Sequence, residues 1–205
     1  MAVLSWLQKL IGTNSRIDPD KAGSQPVANA RPDRDGAIAY VVKLSGLVSD
    51  QPEAIAFYRV AFADHPNQFV TYDDLRKQGD LLNKETLKAL GLRANVKLSD
   101  QFLATLNERG RADPLGAASI LGRAISKALC TLRDLADIEA GGIDRIRFRA
   151  SNMAAGPCAG ALSLAGQTFL LSDAPILPFE TCPHPDQCAC RYQAWLPLMD
   201  ELGIE

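Results

Sequence analysis

Three features of the sequence predict a mainly α protein, a helical bundle, followed by a small C-terminal module that contains β-structure. An apolar stripe at helical spacing runs through residues 114 to 140, between an Asp-Pro start and a Gly-Gly stop. Directly after Gly141-Gly142 the apolar residues change from helical spacing to strict alternation, the pattern of a half-buried strand. Four of the five cysteines, Cys158, Cys182, Cys188 and Cys190, then fall in the last quarter of the chain. Thiols at this density usually share one task, and metal-ligating chemistry makes the C-terminal part a zinc-binding module in this reading.

Composition bounds the possibilities. With 205 residues, 47% of them hydrophobic, the chain can bury one substantial core or two small ones. A formal charge of −2 and a pI near 5.7 give no global basic field to draw the protein onto nucleic acid or an anionic bilayer. An odd number of cysteines, three of them crowded together, suits a reducing cytoplasm better than a secreted disulfide scaffold. The first residues lack the cationic start and apolar run of a signal peptide. No segment approaches the run of about 18 apolar residues expected of a membrane span.

Val3, Leu4, Leu7, Leu10 and Ile11 recur at helical spacing and predict a short amphipathic helix over residues 1–12, ended by Gly12. Such a helix needs a surface: the protein's own core, a partner groove or, as a weaker contact, a membrane interface. Residues 13–35 are rich in Pro, Gly, Ser, Asn, Asp and Arg and predict a flexible linker.

A helical domain is expected over residues 36–140. Ala37 to Val48 fits a helix with Ile38, Val41, Val42 and Leu47 on one face. Asp50, Pro52 and Glu53 form a start signal for a second helix reaching about Asp64, where His65-Pro66 stops it. Thr71 with Asp74 resembles a capping box that opens a helix to about Lys77. Asn83 caps another that ends at Gly91, and Ser99 or Asp100 opens one that closes near Gly110. Asp113-Pro114 starts the longest helix, with Leu121, Ile125, Leu129, Leu132 and Leu135 in a stripe and alanines beside it.

Residues 141–205 form the cysteine module. Arg145, Arg147 and Arg149 alternate with Ile146 and Phe148 in one strand, and Gln167 to Leu171 predicts a second. The last three cysteines cluster around His184 in Thr-Cys-Pro-His-Pro-Asp-Gln-Cys-Ala-Cys. Zinc takes four thiolates or imidazoles, and a structural site leaves none of its positions open to water. Cys158, Cys182, Cys188 and Cys190 are the expected ligands, with His184 as an alternative, and the segment between Cys158 and Cys182 is expected to fold back as a strand pair. Two alternatives stay open: free or oxidised thiols, and a redox-active pair, although no thioredoxin-like context surrounds these cysteines.

Gly156-Pro157-Cys158, Leu164-Ala165-Gly166-Gln167-Thr168-Phe169, Asp173-Ala174-Pro175 and His184-Pro185-Asp186-Gln187-Cys188-Ala189-Cys190 carry a resemblance. Over residues 156–192 the chain resembles the C-terminal cysteine module of phage minor-head (head morphogenesis) proteins. Ala161 stands where the second cysteine of that family's first pair belongs, and one extra residue separates His184-Pro185 from Cys188. Cys182 supplies the missing ligand in this reading, and the resemblance implies a role in head assembly.

Elsewhere the bland readings prevail. Arg145, Arg147 and Arg149, with Arg191, could bind phosphate or nucleic acid, but a solvated strand face, or arginines neutralising a dianionic zinc tetrathiolate, explains them more simply. Cys130 reads as a small buried hydrophobe on the long helix. Asp73, Asp74, Asp134, Asp137 and Glu139 read as capping and surface carboxylates rather than acid-base catalysts. No phosphate-binding loop, dinucleotide fingerprint or nucleophile elbow is present in the sequence. The expected function is therefore non-enzymatic binding or assembly, with a thiol redox or metal-dependent enzyme using the same Cys/His cluster as the alternative. A protein partner is expected to meet the surface around Phe179, Tyr192 and Trp195, and nucleic acid is not expected.

Overall fold

The structure, a computed structural model, describes residues 31–63, 70–151 and 156–198. It is mainly helical, with a three-stranded antiparallel sheet near its C-terminal end. The helix predicted over residues 1–12 and most of the predicted linker lie outside the described residues. The end of that linker is ordered: Asp33 caps α1 (Arg34–Ser45), its carboxylate accepting from the Gly36 N–H at 2.8 Å. Gly46, at φ 61°, ends the helix in the left-handed conformation that glycine adopts without steric cost.

α2 (Pro52–Ala63) packs Tyr58 and Phe62 into the core. The Tyr58 hydroxyl lies 2.9 Å from Thr105 Oγ1, and the Thr105 hydroxyl donates to the Phe102 carbonyl, so each polar group is satisfied inside. Burial pushes the Tyr58 phenol well above its ordinary 10.0, against the smaller opposing effect of the Thr105 bond. A phenol raised in the folded state contributes stability that is complete below pH 10.0 and is lost as the pH rises further. In an alkaline titration followed by phenolate absorbance, Tyr58 is expected to ionise together with unfolding, so the absorbance and circular dichroism transitions should coincide for that fraction. A phenolate signal for all four tyrosines before unfolding would refute this.

Thr71 and Asp74 form the predicted capping box of α3 (Tyr72–Leu75), and Asn83 caps α4 (Lys84–Ala89). The single helix expected from Ser99 to about Gly110 is instead two: α5 (Asp100–Thr105), capped by Ser99, and α6 (Glu108–Ala112), capped by Asn107. The break is a β-bridge between Leu106 and Val48, flanked by Ser49 N–H to the Thr105 carbonyl and Asn107 N–H to the Leu47 carbonyl. The Asn107 amide also donates to the Gly46 and Val48 carbonyls. Gly110 allows this approach, because a Cβ there would sit 2.3 Å from the Leu47 carbonyl oxygen. Gly110→Ala is expected to cost about 1–3 kcal/mol through overpacking, read as a lower urea midpoint with an unchanged slope.

α7 (Pro114–Ala140) starts at the Asp113 cap and stops at Gly141, as the sequence predicts. Its alanines 117, 118, 124 and 128 are buried with Leu121 and Ile125, and it packs against α1 and α3. By length and composition α7 is apolar enough to cross a membrane, with mean hydropathy 1.2 over 18 residues, which the reading of the sequence did not expect. Its large aliphatic residues face the helical core, with Leu121 and Ile125 buried and Ile120, Leu129 and Leu132 packed against it, and Gly122 lets α3 approach, since a Cβ there would sit 3.4 Å from the Tyr72 Cα. α7 serves here as a core helix.

After Gly142 the chain enters β1 (Arg145–Arg149), the central strand of the sheet. β2 (Thr168–Leu170) pairs on one side and β3 (Arg191–Ala194) on the other, both antiparallel. Ile146 and Phe148 point inward and are fully buried, as their alternation predicts. They form a second hydrophobic cluster with Leu135 of α7, Leu171, Leu177, Phe179, Cys190 and Tyr192. α7 thus contributes to both clusters, and the Tyr40 hydroxyl on α1 donates to the Pro178 carbonyl at 3.1 Å.

Candidate metal centre

Each cysteine of the cluster is placed by a local backbone feature. Gly156, at φ 73°, turns the chain into Pro157 and Cys158, and Cys158 occupies the N-cap of α8 (Ala159–Leu164). Cys182 follows a tight turn in which its N–H bonds to the Phe179 carbonyl at 2.9 Å. Cys188 ends a short 3₁₀ turn over Pro185–Gln187, and Cys190 leads into β3. Gly160 lets α8 lie against the Phe179–Cys182 turn, since a Cβ there would meet the Thr181 hydroxyl at 2.9 Å and the Phe179 ring at 3.2 Å.

These segments bring all four cysteines, together with His184, onto one cavity of about 110 Å³. Ser151 and Gln187 also line it, and the sequence contains no spacing that would have singled them out. Cys190 is buried, the other three are half-buried, and none is in a disulfide. The His184 backbone N–H donates to the Cys182 sulfur, and the Cys190 backbone N–H donates to the Cys188 sulfur. Both pairs have the same two-residue spacing, so two short Cys-x-Xaa turns each aim an amide at a sulfur.

Burial pushes the Cys182 thiol up, and the nearby Cys158 and Cys190 add to the rise. Burial likewise raises Cys188 to about 12, helped by Cys190 and Cys182, while Lys127 of α7 pulls the other way. Crowded sulfurs in an apolar pocket cannot all carry charge unless a cation sits among them. Among the described residues, however, no three Cys, His, Asp or Glu side chains stand as a ready-made set of metal ligands. The sulfurs share a cavity without being drawn onto one centre. Residue identity, convergence and the amides aimed at sulfur fit a thiophilic cation.

Other expectations are corrected. The segment from Cys158 to Cys182 is not a strand pair: it contains α8, β2, a 3₁₀ turn over Leu171–Asp173 and an extended stretch, with β2 pairing to β1. α8 and β3 escaped prediction because α8 has no side-chain cap and β3 turns only Tyr192 fully inward. Phe179 and Tyr192 are not surface anchors. Both are buried against Phe148, with ring centroids 5.4 and 5.7 Å away, and the Tyr192 hydroxyl donates to the Pro175 carbonyl at 2.6 Å. Trp195 is half-buried, with Arg145 and Arg147 over its ring. Arg145, Arg147 and Arg149 lie on the sheet face opposite the second cluster, and the cation whose charge acts on Cys188 is Lys127 of α7.

Cys130 is half-buried on α7, away from the cavity, and burial raises its thiol. Asp73 binds Arg76 and Lys77, Asp74 completes the capping box, and Glu139 pairs with Arg31. His65 lies outside the described residues. No family model, curated protein or solved structure matches the chain.

Proposed function

We propose that the chain is a non-enzymatic binding or assembly protein whose C-terminal module is held by one structural zinc on Cys158, Cys182, Cys188 and Cys190, with His184 as the alternative ligand. The observation that carries this reading is the convergence of four thiols, from three separate stretches of chain, on one small cavity. Zinc would supply a cross-link between those stretches, tying α8, the Phe179–Cys182 turn and the start of β3 together. The backbone amides of His184 and Cys190 would steady two of the sulfurs, as outer-shell donors do in thiolate sites. The odd, crowded set of cysteines favours a reducing compartment, the cytoplasm.

The raised thiols weigh against the redox alternative. Burial raises the Cys182 and Cys188 thiols, the opposite of what a catalytic thiol at either position needs, which leaves Cys158, at the N-cap of α8, as the cluster's thiol for that reading. The resemblance of residues 156–192 to the cysteine module of phage minor-head proteins gives the assembly reading its direction, a role in building a virion head.

Elemental analysis of the purified full chain tests the metal. One zinc per chain is expected, with the cluster thiols unreactive towards a disulfide reagent until a chelator is added. A metal-free protein with a reversible disulfide among Cys182, Cys188 and Cys190 would overturn the proposal in favour of redox chemistry.

A further inference from the structure

The side of the sheet facing away from the cysteines carries an independent arrangement. Alternation along β1 and β3 puts Arg145, Arg147, Arg149 and Arg191 on this outer face, opposite the buried Ile146, Phe148 and Tyr192. The register sets Arg149 directly across from Arg191. Like charges directly opposed in an antiparallel pair destabilise it, so an unneutralised pair is an unusual thing for a fold to keep. Among the described residues Arg149 is tethered by its Nε–H to Gln193 Oε1 at 3.0 Å, and no ion pair among them reaches Arg145, Arg149 or Arg191. No carboxylate occupies any outward position of the register, where Thr168, Leu170 and Gln193 are the other residues.

Two further observations give the face a direction and a floor. Trp195 continues β3, its N–H bonded to the Arg145 carbonyl, and its ring lies 5.8 and 5.9 Å from the Arg145 and Arg147 guanidinium carbons. The indole therefore holds two guanidinium groups at one end of the face. At the other end Arg149, Arg191 and Gln193 border an open groove of about 910 Å³ that runs to the Ala165–Gly166 turn.

We infer that this outer face binds single-stranded nucleic acid through its phosphate backbone, a partner that the overall charge of the sequence had set aside. The register brings Arg149 and Arg191 together across the two strands, close enough for one phosphate group to sit between them, with Arg145 further along the same face. Guanidinium forks match phosphate oxygens in pairs, and an anion between Arg149 and Arg191 turns their repulsion into attraction. A bilayer would require an apolar surface alongside the arginines, and Leu170 is the only large aliphatic residue at the register positions of this face. The inference does not rest on the zinc reading.

The test is fluorescence anisotropy of a labelled oligo(dT) of about 16 nucleotides with the full chain as purified, its metal content recorded. Binding is expected at low salt and should weaken steeply between about 50 and 200 mM salt. The Arg149→Gln/Arg191→Gln double variant should bind about 10-fold or more weakly, with a log–log salt slope shallower by about 1.4, the value for two lost phosphate contacts on a single strand. Arg123→Gln on the exposed side of α7 should bind as wild type. In a Trp6→Phe chain, where Trp195 is the sole tryptophan, the oligonucleotide should change the emission, a readout independent of whether the arginine variants fold. No binding at low salt, equal binding by the double variant, an unresponsive Trp195, or binding to phosphatidylserine vesicles without binding to the oligonucleotide would each overturn the inference.

Discussion

Cys190→Ser is expected to abolish zinc retention and to remove most of the protein's stability, while Cys130→Ser leaves both nearly unchanged. Cys190 is the one cysteine of the cluster that is buried, it belongs to the second hydrophobic cluster, and it leads directly into β3. Its loss acts in two ways. A tetrahedral structural site reduced to three thiolates holds zinc poorly, and zinc peptides draw on the order of 10 kcal/mol of their folding free energy from the metal. That is comparable with the whole stability of an ordinary domain, about 5–15 kcal/mol. The serine hydroxyl, placed among apolar side chains, also loses its water and costs about 1–3 kcal/mol if left unpaired. Cys130 lines no cavity with the others and is half-buried on α7, so its change should stay within about 1 kcal/mol. Thermal melts of both variants, with and without chelator, check the prediction. If chelation lowers the wild-type midpoint but leaves Cys190→Ser where it already was, metal and cysteine act on one site. Equal midpoints for wild type and Cys190→Ser in metal-containing buffer would remove the structural role assigned to this cysteine.

How much of this was legible in the sequence depends on the range of the interactions involved. Caps are local, and Thr71, Asn83, Ser99 and Asp113 were readable because each side chain accepts from the amide three residues further on. The alternation of Ile146 and Phe148 was readable for the same reason. The break between α5 and α6 was not, because its cause is the Leu106–Val48 bridge between segments far apart in the chain. Nor was the burial of Phe179 and Tyr192: a short aromatic segment does not indicate which face it turns inward until its partner, Phe148, is known. At the site, the grouping of the four cysteines was legible from their density. The alternation of Arg145, Arg147 and Arg149 on one strand face was legible, but the direct opposition of Arg149 and Arg191 needed the register of β3 against β1, since they lie 42 positions apart in sequence.

Phe148→Ala should lower stability by about 3–5 kcal/mol, the second large effect, and the shape of the unfolding curve it produces is as informative as its midpoint. Phe148 has no exposed surface and sits on the central strand, between Phe179 at 5.4 Å and Tyr192 at 5.7 Å. Truncation removes a ring from the middle of the second cluster and forfeits two aromatic contacts, each worth about 0.5–1.5 kcal/mol beyond its buried area. The strand backbone, with the Phe148 N–H on the Gln167 carbonyl and the Gly166 N–H on the Phe148 carbonyl, holds the walls apart and limits collapse into the space. The second cluster is not isolated from the first: Leu135 anchors it to α7, Tyr40 bonds Pro178, and Ile176 packs on the helical core. These links predict that Phe148→Ala shifts one cooperative transition, seen alike by helix dichroism and by Trp195 emission in the Trp6→Phe background. Were the Trp195 signal lost at lower denaturant while the helical signal kept its wild-type midpoint, the bundle and the cysteine module would be separate folding units, and α7 merely the rod on which both are mounted.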